Sequence, residues 1–181
     1  MPASRPPLTD KESFSSLYTR TYLIIFRFIY GIHGGPTEEV EDITCETYMR
    51  AWKGRTQFSG EEQDALRWLF TIARHLVIDI HRKKKTHPEE RIDGLDESDF
   101  GSDFLLKKQT PEEITVSNEE YAHLWSLLHN LTMERREMLV LRYILGWQVK
   151  QIAEHLQMEE NTVSVYIHRS LDQIRHDWVK I

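Results

Sequence analysis

QVKQIAEHLQMEENTVSVYIHRSLDQIR, running from Gln148 to Arg175, is the stretch on which the fold turns. Val149, Ile152, Ala153 and Leu156 recur at i, i+3, i+4 and i+7, the spacing of one buried stripe on a short helix. Val163, Ile167, Leu171, Ile174 and Trp178 repeat the pattern. At about 100° per residue, Ser164, Val165, His168, Asp172 and Arg175 fall on the opposite arc. Only Gln157, Met158 and Glu159 separate the two segments. Helices this short, joined this tightly, cannot lie antiparallel over much length, so a steep crossing is expected, the geometry of a helix-turn-helix. In that motif the second helix enters the DNA major groove with its N-terminal residues at the base edges. Asn161, Ser164, Val165, His168 and Arg169 are then the groove-facing candidates. Periodicity alone fits an ordinary helical hairpin closing a bundle equally well. Two residues favour the DNA reading: Ala153 is small where crossing helices approach, and Thr162 is placed to cap the second helix or touch a phosphate. Gln157 stands where such turns usually carry glycine, at a cost of about 1 kcal/mol if the backbone there is left-handed.

Helix-period segments recur through the rest of the 181 residues, and no alternating strand-like run bounded by turn signals interrupts them. The expected class is all-α: two small helical domains, residues 1–85 and 116–181, joined by a flexible acidic linker, residues 86–115, with the helix-turn-helix in the second domain. The formal charge of -6 is unevenly spread. Residues 1–85 carry 13 basic and 11 acidic side chains, residues 86–117 carry 3 and 9, and residues 118–181 carry 7 and 9, so the acidity is concentrated in the middle. Cys45 is the only cysteine, which excludes an internal disulfide and a multi-cysteine zinc site and fits a reducing cytoplasm. The nine histidines show no ligand spacing beside a carboxylate cluster, so no metal is expected. Tyr22 to Ile32 is densely apolar but interrupted by Arg27 and about half the length of a membrane span. It reads as a buried helix, and no membrane insertion is expected.

Taken in order, Thr9 and Glu12 form a capping-box pattern that opens a helix expected to reach about Tyr30. Thr37 is expected to cap the next helix, with Val40, Ile43, Thr47 and Ala51 as its buried stripe and Asp42, Glu46, Met49 and Lys53 on another face. A solvated helix face explains that ridge as readily as a docking surface does. The loop FSGEEQ leads into a long helix over about 65–85, with Leu66, Leu69, Ile72, Ala73, Leu76, Val77 and Ile80 inward. Its other side carries Arg67, Thr71, Arg74, Ile78 and Arg82, with His75 at the margin, and it ends in Arg82 to Lys85. Dipole capping accounts for some cations there, but four clustered ones on a continuous basic side suit a phosphate backbone. Residues 86–115 lose all periodicity, as a linker would. Ser117 with Glu120, and then Thr132, open two further helices, carrying Tyr121, Leu124, Leu127 and Leu128, then Met138, Leu139 and Leu141.

VEDITCETYMRAWK at Val40–Lys53, ALRWLFTIARHLVIDIHRKKK at Ala65–Lys85 and LTMERREMLVLRYILGWQVKQIAEHLQMEENTVSVYIHRSL at Leu131–Leu171, in this order, resemble the extracytoplasmic-function sigma factors of bacterial RNA polymerase. The resemblance implies a non-catalytic specificity subunit that binds core polymerase and promoter DNA, needs no cofactor, and is held by an anti-sigma factor. It implies core contacts at Asp42, Glu46, Met49, Arg50 and Lys53. It implies minus-ten recognition and melting by Phe58, Arg67, Trp68, Arg74, His75, Arg82 and Lys83, and minus-thirty-five recognition by Asn161, Thr162, Ser164, Val165, His168 and Arg169. As a large aromatic on an apolar helix, Trp68 by itself reads first as a core residue. His75 stands where the family commonly has Asn, and Cys45 where it commonly has Gln. The rival of a different class is a stand-alone helix-turn-helix regulator with an N-terminal sensing or dimerisation module. A phosphorylatable receiver would need strands, which the sequence lacks.

Overall fold

A computed structural model describes Leu8, residues 10–86 and residues 118–179. The expected linker beyond Thr86, the Thr9 cap and the Ser117 cap lie outside the described residues. What is described is helical throughout: α1 Lys11–His33, α2 Thr37–Gly54, α3 Glu62–Thr86, α4 Asn118–His129, α5 Met133–Leu139, α6 Val149–Leu156 and α7 Glu160–Trp178. A 3-10 turn, Arg55–Gln57, follows α2, and a π turn, Val140–Ile144, follows α5. Two compact units result, one drawn from Met1–His33 and Glu38–Ile92, the other from Gly34–Thr37 and Asp93–Ile181.

In the first unit α1 is capped by Asp10, whose carboxylate accepts the Ser13 amide at 2.8 Å. The helix runs past the expected stop at Tyr30, with Gly31 buried inside it, and ends only where Gly34 takes φ +65. Ile25, Phe28, Ile29 and Ile32 are fully buried, and Phe28 meets Phe70 of α3 edge-on at 4.7 Å. Against α2 the contact is aromatic: Phe14 meets Trp52 at 5.1 Å and Tyr18 meets Tyr48 at 4.7 Å. Tyr48 is buried and its hydroxyl lies 2.8 Å from that of Thr21. Burial pushes the Tyr48 hydroxyl far above its ordinary range, more than the Thr21 hydrogen bond lowers it.

The helix limits of α2 and α3 shift from expectation. Thr37 is the first residue of α2 rather than the residue before it. The expected stripe of Val40, Ile43, Thr47 and Ala51 is buried, with Thr44 and Tyr48 beside it. Helix α3 begins at Glu62, three residues early, because Asp64 reaches back to accept the Glu61 amide at 3.0 Å. Its buried face is rotated: Ala65 and Phe70 join Leu69, Ala73, Leu76 and Val77, while Leu66, Ile72 and Ile80 are only half-buried.

The second unit packs α5 and α6 against α7. Arg136 is buried and its guanidinium donates to the carbonyls of Leu131 at 3.3 Å and His129 at 3.4 Å, closing the α4–α5 turn. Burial lowers its pKa. Glu137, fully buried, stands 3.5 Å from Nε2 of His155, which ties α5 to α6. Two expected core positions fail. Leu124 is 37% exposed and Trp125 is buried instead; Trp178 is 40% exposed, with Leu171 and Ile174 half-buried, and Ser170 fills the core behind Ile167. Ser170 is tolerated there because its hydroxyl donates to the Tyr166 carbonyl at 2.7 Å.

Candidate nucleic-acid interface

The first unit carries a recess of about 530 Å³ where the α2–α3 connection meets α3. Phe58, Trp68, Ile72 and His75 line one part of it, and Arg50, Gln57, Ser59 and Gly60 another. Phe58 lies over Trp68 with ring centroids 4.9 Å apart and planes 28° from parallel. Both rings are half-buried, so Trp68 is a wall of the recess and not a core aromatic. The loop conformation depends on Gly60: a Cβ there would stand 2.8 Å from the Phe58 ring and 2.8 Å from Cβ of Asp64. Flat π-faces beside hydrogen-bonding side chains are what a single unstacked base requires. Sequence reasoning named Phe58, Trp68 and His75 but missed Gln57, Ser59 and Ile72, and named Arg50 only as a polymerase contact; the tetrapeptide Gln57–Gly60 was the available signal.

The cations of α3 lie outside the residues that line the recess. Arg67, His75, Arg82 and Lys83 are exposed and Arg74 is half-buried. Lys84 is held differently: its ammonium lies 2.8 Å from Oε2 of Glu39, the same oxygen that buried His33 approaches at 2.8 Å through Nε2. Burial raises the Glu39 pKa, but the hydrogen bonds and charges of Lys84 and His33 outweigh it and hold the carboxyl below its ordinary value. Glu39 thereby joins the end of α1, the start of α2 and the end of α3.

On α2, Asp42, Met49, Arg50 and Lys53 are exposed and Glu46 is half-buried, a ridge with one thioether 51% accessible. Nε of Arg50 donates to Oε1 of Glu46 at 2.7 Å. Arg50 therefore pairs with Glu46 on the ridge and also lines the recess.

In the second unit α6 and α7 are separated by Gln157, Met158 and Glu159, as the spacing predicts. Gln157 adopts φ 55 and ψ 45, the left-handed conformation that glycine accommodates without strain. Ala153 is buried at the crossing. Asn161, Ser164, Val165, His168 and Arg169 form an exposed arc. Thr162 does not cap α7: Glu159 occupies that place, and Thr162 is the third helical residue, half-buried. Asp172 lies 3.6 Å from His168 and 3.3 Å from Arg175, so part of the cationic character of the arc is offset.

No group of three or more potential metal ligands occurs among the described residues, and none of their helices is long and apolar enough to cross a membrane. The model of the Sigma-70 region 2 family matches residues 17–87, and that of Sigma-70, region 4, matches residues 122–174. The ECF RNA polymerase sigma factor SigX of Bacillus subtilis is 28% identical over 165 residues, covering 91% of this chain and 83% of its own. SigL of Mycobacterium tuberculosis, also an ECF RNA polymerase sigma factor, is 27% identical over 160 residues, covering 88% and 85%. The sigma factor RpoE of Bartonella quintana, solved in complex with the anti-sigma factor NepR, shares the fold at a TM-score of 0.68 and 15% identity, covering 91% of this chain and 96% of that one.

Proposed function

The chain belongs to the sigma-70 family, in its extracytoplasmic-function branch, and from that premise we propose how its surfaces divide the work of promoter recognition. As an RNA polymerase sigma factor it directs core enzyme to promoters; the family supplies initiation specificity, and phosphodiester synthesis belongs to the polymerase. The recess between Phe58, Trp68 and His75 receives one base withdrawn from the minus-ten duplex. Arg67, Arg74, Arg82 and Lys83 hold the separated strand by its phosphates. The first half of α7 enters the major groove at the minus-thirty-five element, presenting Asn161, Ser164, Val165, His168 and Arg169, with Thr162 near the backbone.

Core polymerase docks on the α2 ridge through Asp42, Glu46, Met49 and Lys53. A mixed, mainly acidic ridge meeting a basic partner would make association fast and salt-sensitive. An anti-sigma factor, the kind of partner found on RpoE, would compete for these surfaces.

The observation that supports this reading best is a stacked aromatic recess lined also by the exposed Arg50 and His75, on a chain whose second unit carries an exposed helix-turn-helix arc. Run-off transcription with purified core polymerase on a genomic promoter library tests it: the full chain should produce discrete transcripts absent from core alone. Core affinity should fall at least tenfold in the Asp42→Arg, Glu46→Arg double variant; unchanged affinity would remove the docking surface.

A further inference from the structure

We propose that Arg50 is a base-contacting residue of the recess and that Glu46 is its positioning residue, so that the ridge which docks polymerase also aims the side chain that recognises the extruded base. The inference rests on the reading of the recess as a base site. The family resemblance implied Arg50 as a core-polymerase contact beside Asp42, Glu46, Met49 and Lys53. In the structure Arg50 lines the same cavity as Phe58, Trp68 and His75.

The chemistry of the pair supports a division of labour. A guanidinium has five N–H donors in a rigid plane, and fixing one edge fixes the direction of the others. Nε of Arg50 is committed to Oε1 of Glu46 at 2.7 Å. The two terminal nitrogens carry four further donors on a side chain 48% exposed, beside a cavity whose walls offer π-faces. A donor-only group at the edge of a stacking site discriminates between bases by their ring-edge acceptors, which Phe58 cannot do and Trp68 could do only through its single indole N–H. Glu46 is itself 36% exposed, and only one of its oxygens is used by Arg50 in this contact. The other remains available to a basic partner on polymerase without breaking the arginine contact. The two residues are separated by one helical turn, so the rigidity of α2 maintains the geometry.

The test uses the full chain saturated with core polymerase and a short abasic sugar-phosphate strand carrying one central base, in four versions, alongside the fully abasic strand. The wild type should bind at least one base-bearing strand more tightly than the abasic one. Arg50→Ala should reduce that base-dependent gain by about three- to tenfold and compress the differences among the four bases, with abasic affinity changing less. Glu46→Ala should reduce the gain about two- to threefold. Glu46→Gln, which keeps an acceptor oxygen for Nε, should recover most of it, and Glu46→Ala should add nothing in an Arg50→Ala background. If the wild type shows no base-dependent gain, the recess is not a base site and the functional reading itself fails. If the gain is present but survives in Arg50→Ala, or if the two substitutions act additively, the base site stands and the assignment of Arg50 and Glu46 is overturned.

Discussion

The two surfaces assigned to DNA are built on opposite plans. In the first unit the candidate site is concave: a short loop folds Phe58 over Trp68 and leaves a recess beside it. In the second it is convex, an exposed arc of α7 formed by Asn161, Ser164, Val165, His168 and Arg169. The difference fits what each is proposed to grip. A base outside its stack offers two flat faces and can be enclosed, whereas a base inside a duplex offers only its edge in a groove wide enough for a helix. Enclosure needs aromatic walls held by tertiary contacts, and the first unit supplies them. Edge reading needs only a straight, well-anchored helix, which α7 obtains from Val163 and Ile167 buried against its neighbours.

The contrast can be broken most directly at Phe58. Phe58→Ala removes one stacking face and should cost about 1–3 kcal/mol of single-strand affinity, measured as loss of promoter opening, while binding to a minus-thirty-five duplex is unchanged. Gly60→Ala should produce a smaller loss of the same kind, because its Cβ would displace the Phe58 ring. On the convex side, Arg169→Ala should weaken duplex binding at every sequence alike and reduce the slope of log affinity against log salt by about 1 if the contact is to phosphate. A change confined to one promoter position would instead make Arg169 an edge reader.

Two weaker tests concern the frames that carry these surfaces. Gln157→Gly should raise stability by about 0.5–1 kcal/mol in denaturant unfolding, because the left-handed strain relieved exceeds the added freedom of the unfolded chain. Glu39 yields a pH dependence of defined sign. Its folded pKa is depressed below its unfolded value, so its contribution is present above the unfolded value near 4.5 and is lost as pH falls through the folded one. Glu39→Gln should therefore flatten the acid limb of the stability profile in that window and leave stability above it insensitive to pH from this source.

How far the sequence led depended on the kind of interaction involved. The α6–α7 turn was legible to the residue, because two apolar stripes out of phase leave three residues over. The α2 stripe was legible for the same reason. Helix ends were less so: Gly31 suggested a stop, but a glycine in a buried helix costs only about 1 kcal/mol against the packing of Phe28, Ile29 and Ile32 around it. The recess was half legible. The family resemblance marked Phe58, whereas the place of Arg50 in the recess lining was not legible, because helical spacing gives the direction of Cα–Cβ but not where a long side chain bends. Trp68 was named through the family resemblance, but its helix pattern pointed to the core. A tryptophan on an apolar helix usually packs inward, and only the loop folding back makes it a wall.

The π turn at Val140–Ile144 has a consequence for how this chain tolerates change in length. Leu145 donates to Val140 at 3.1 Å and Trp147 to Leu141 at 2.9 Å, so the turn accommodates an additional residue before Gly146 redirects the backbone at φ +72. Deleting one residue there would restore ordinary winding and rotate everything downstream by about 100° about the helix axis. Glu137 and His155 would then no longer face each other. Single-residue indels in this short segment should thus be far more damaging than substitutions at its outward-facing Tyr143.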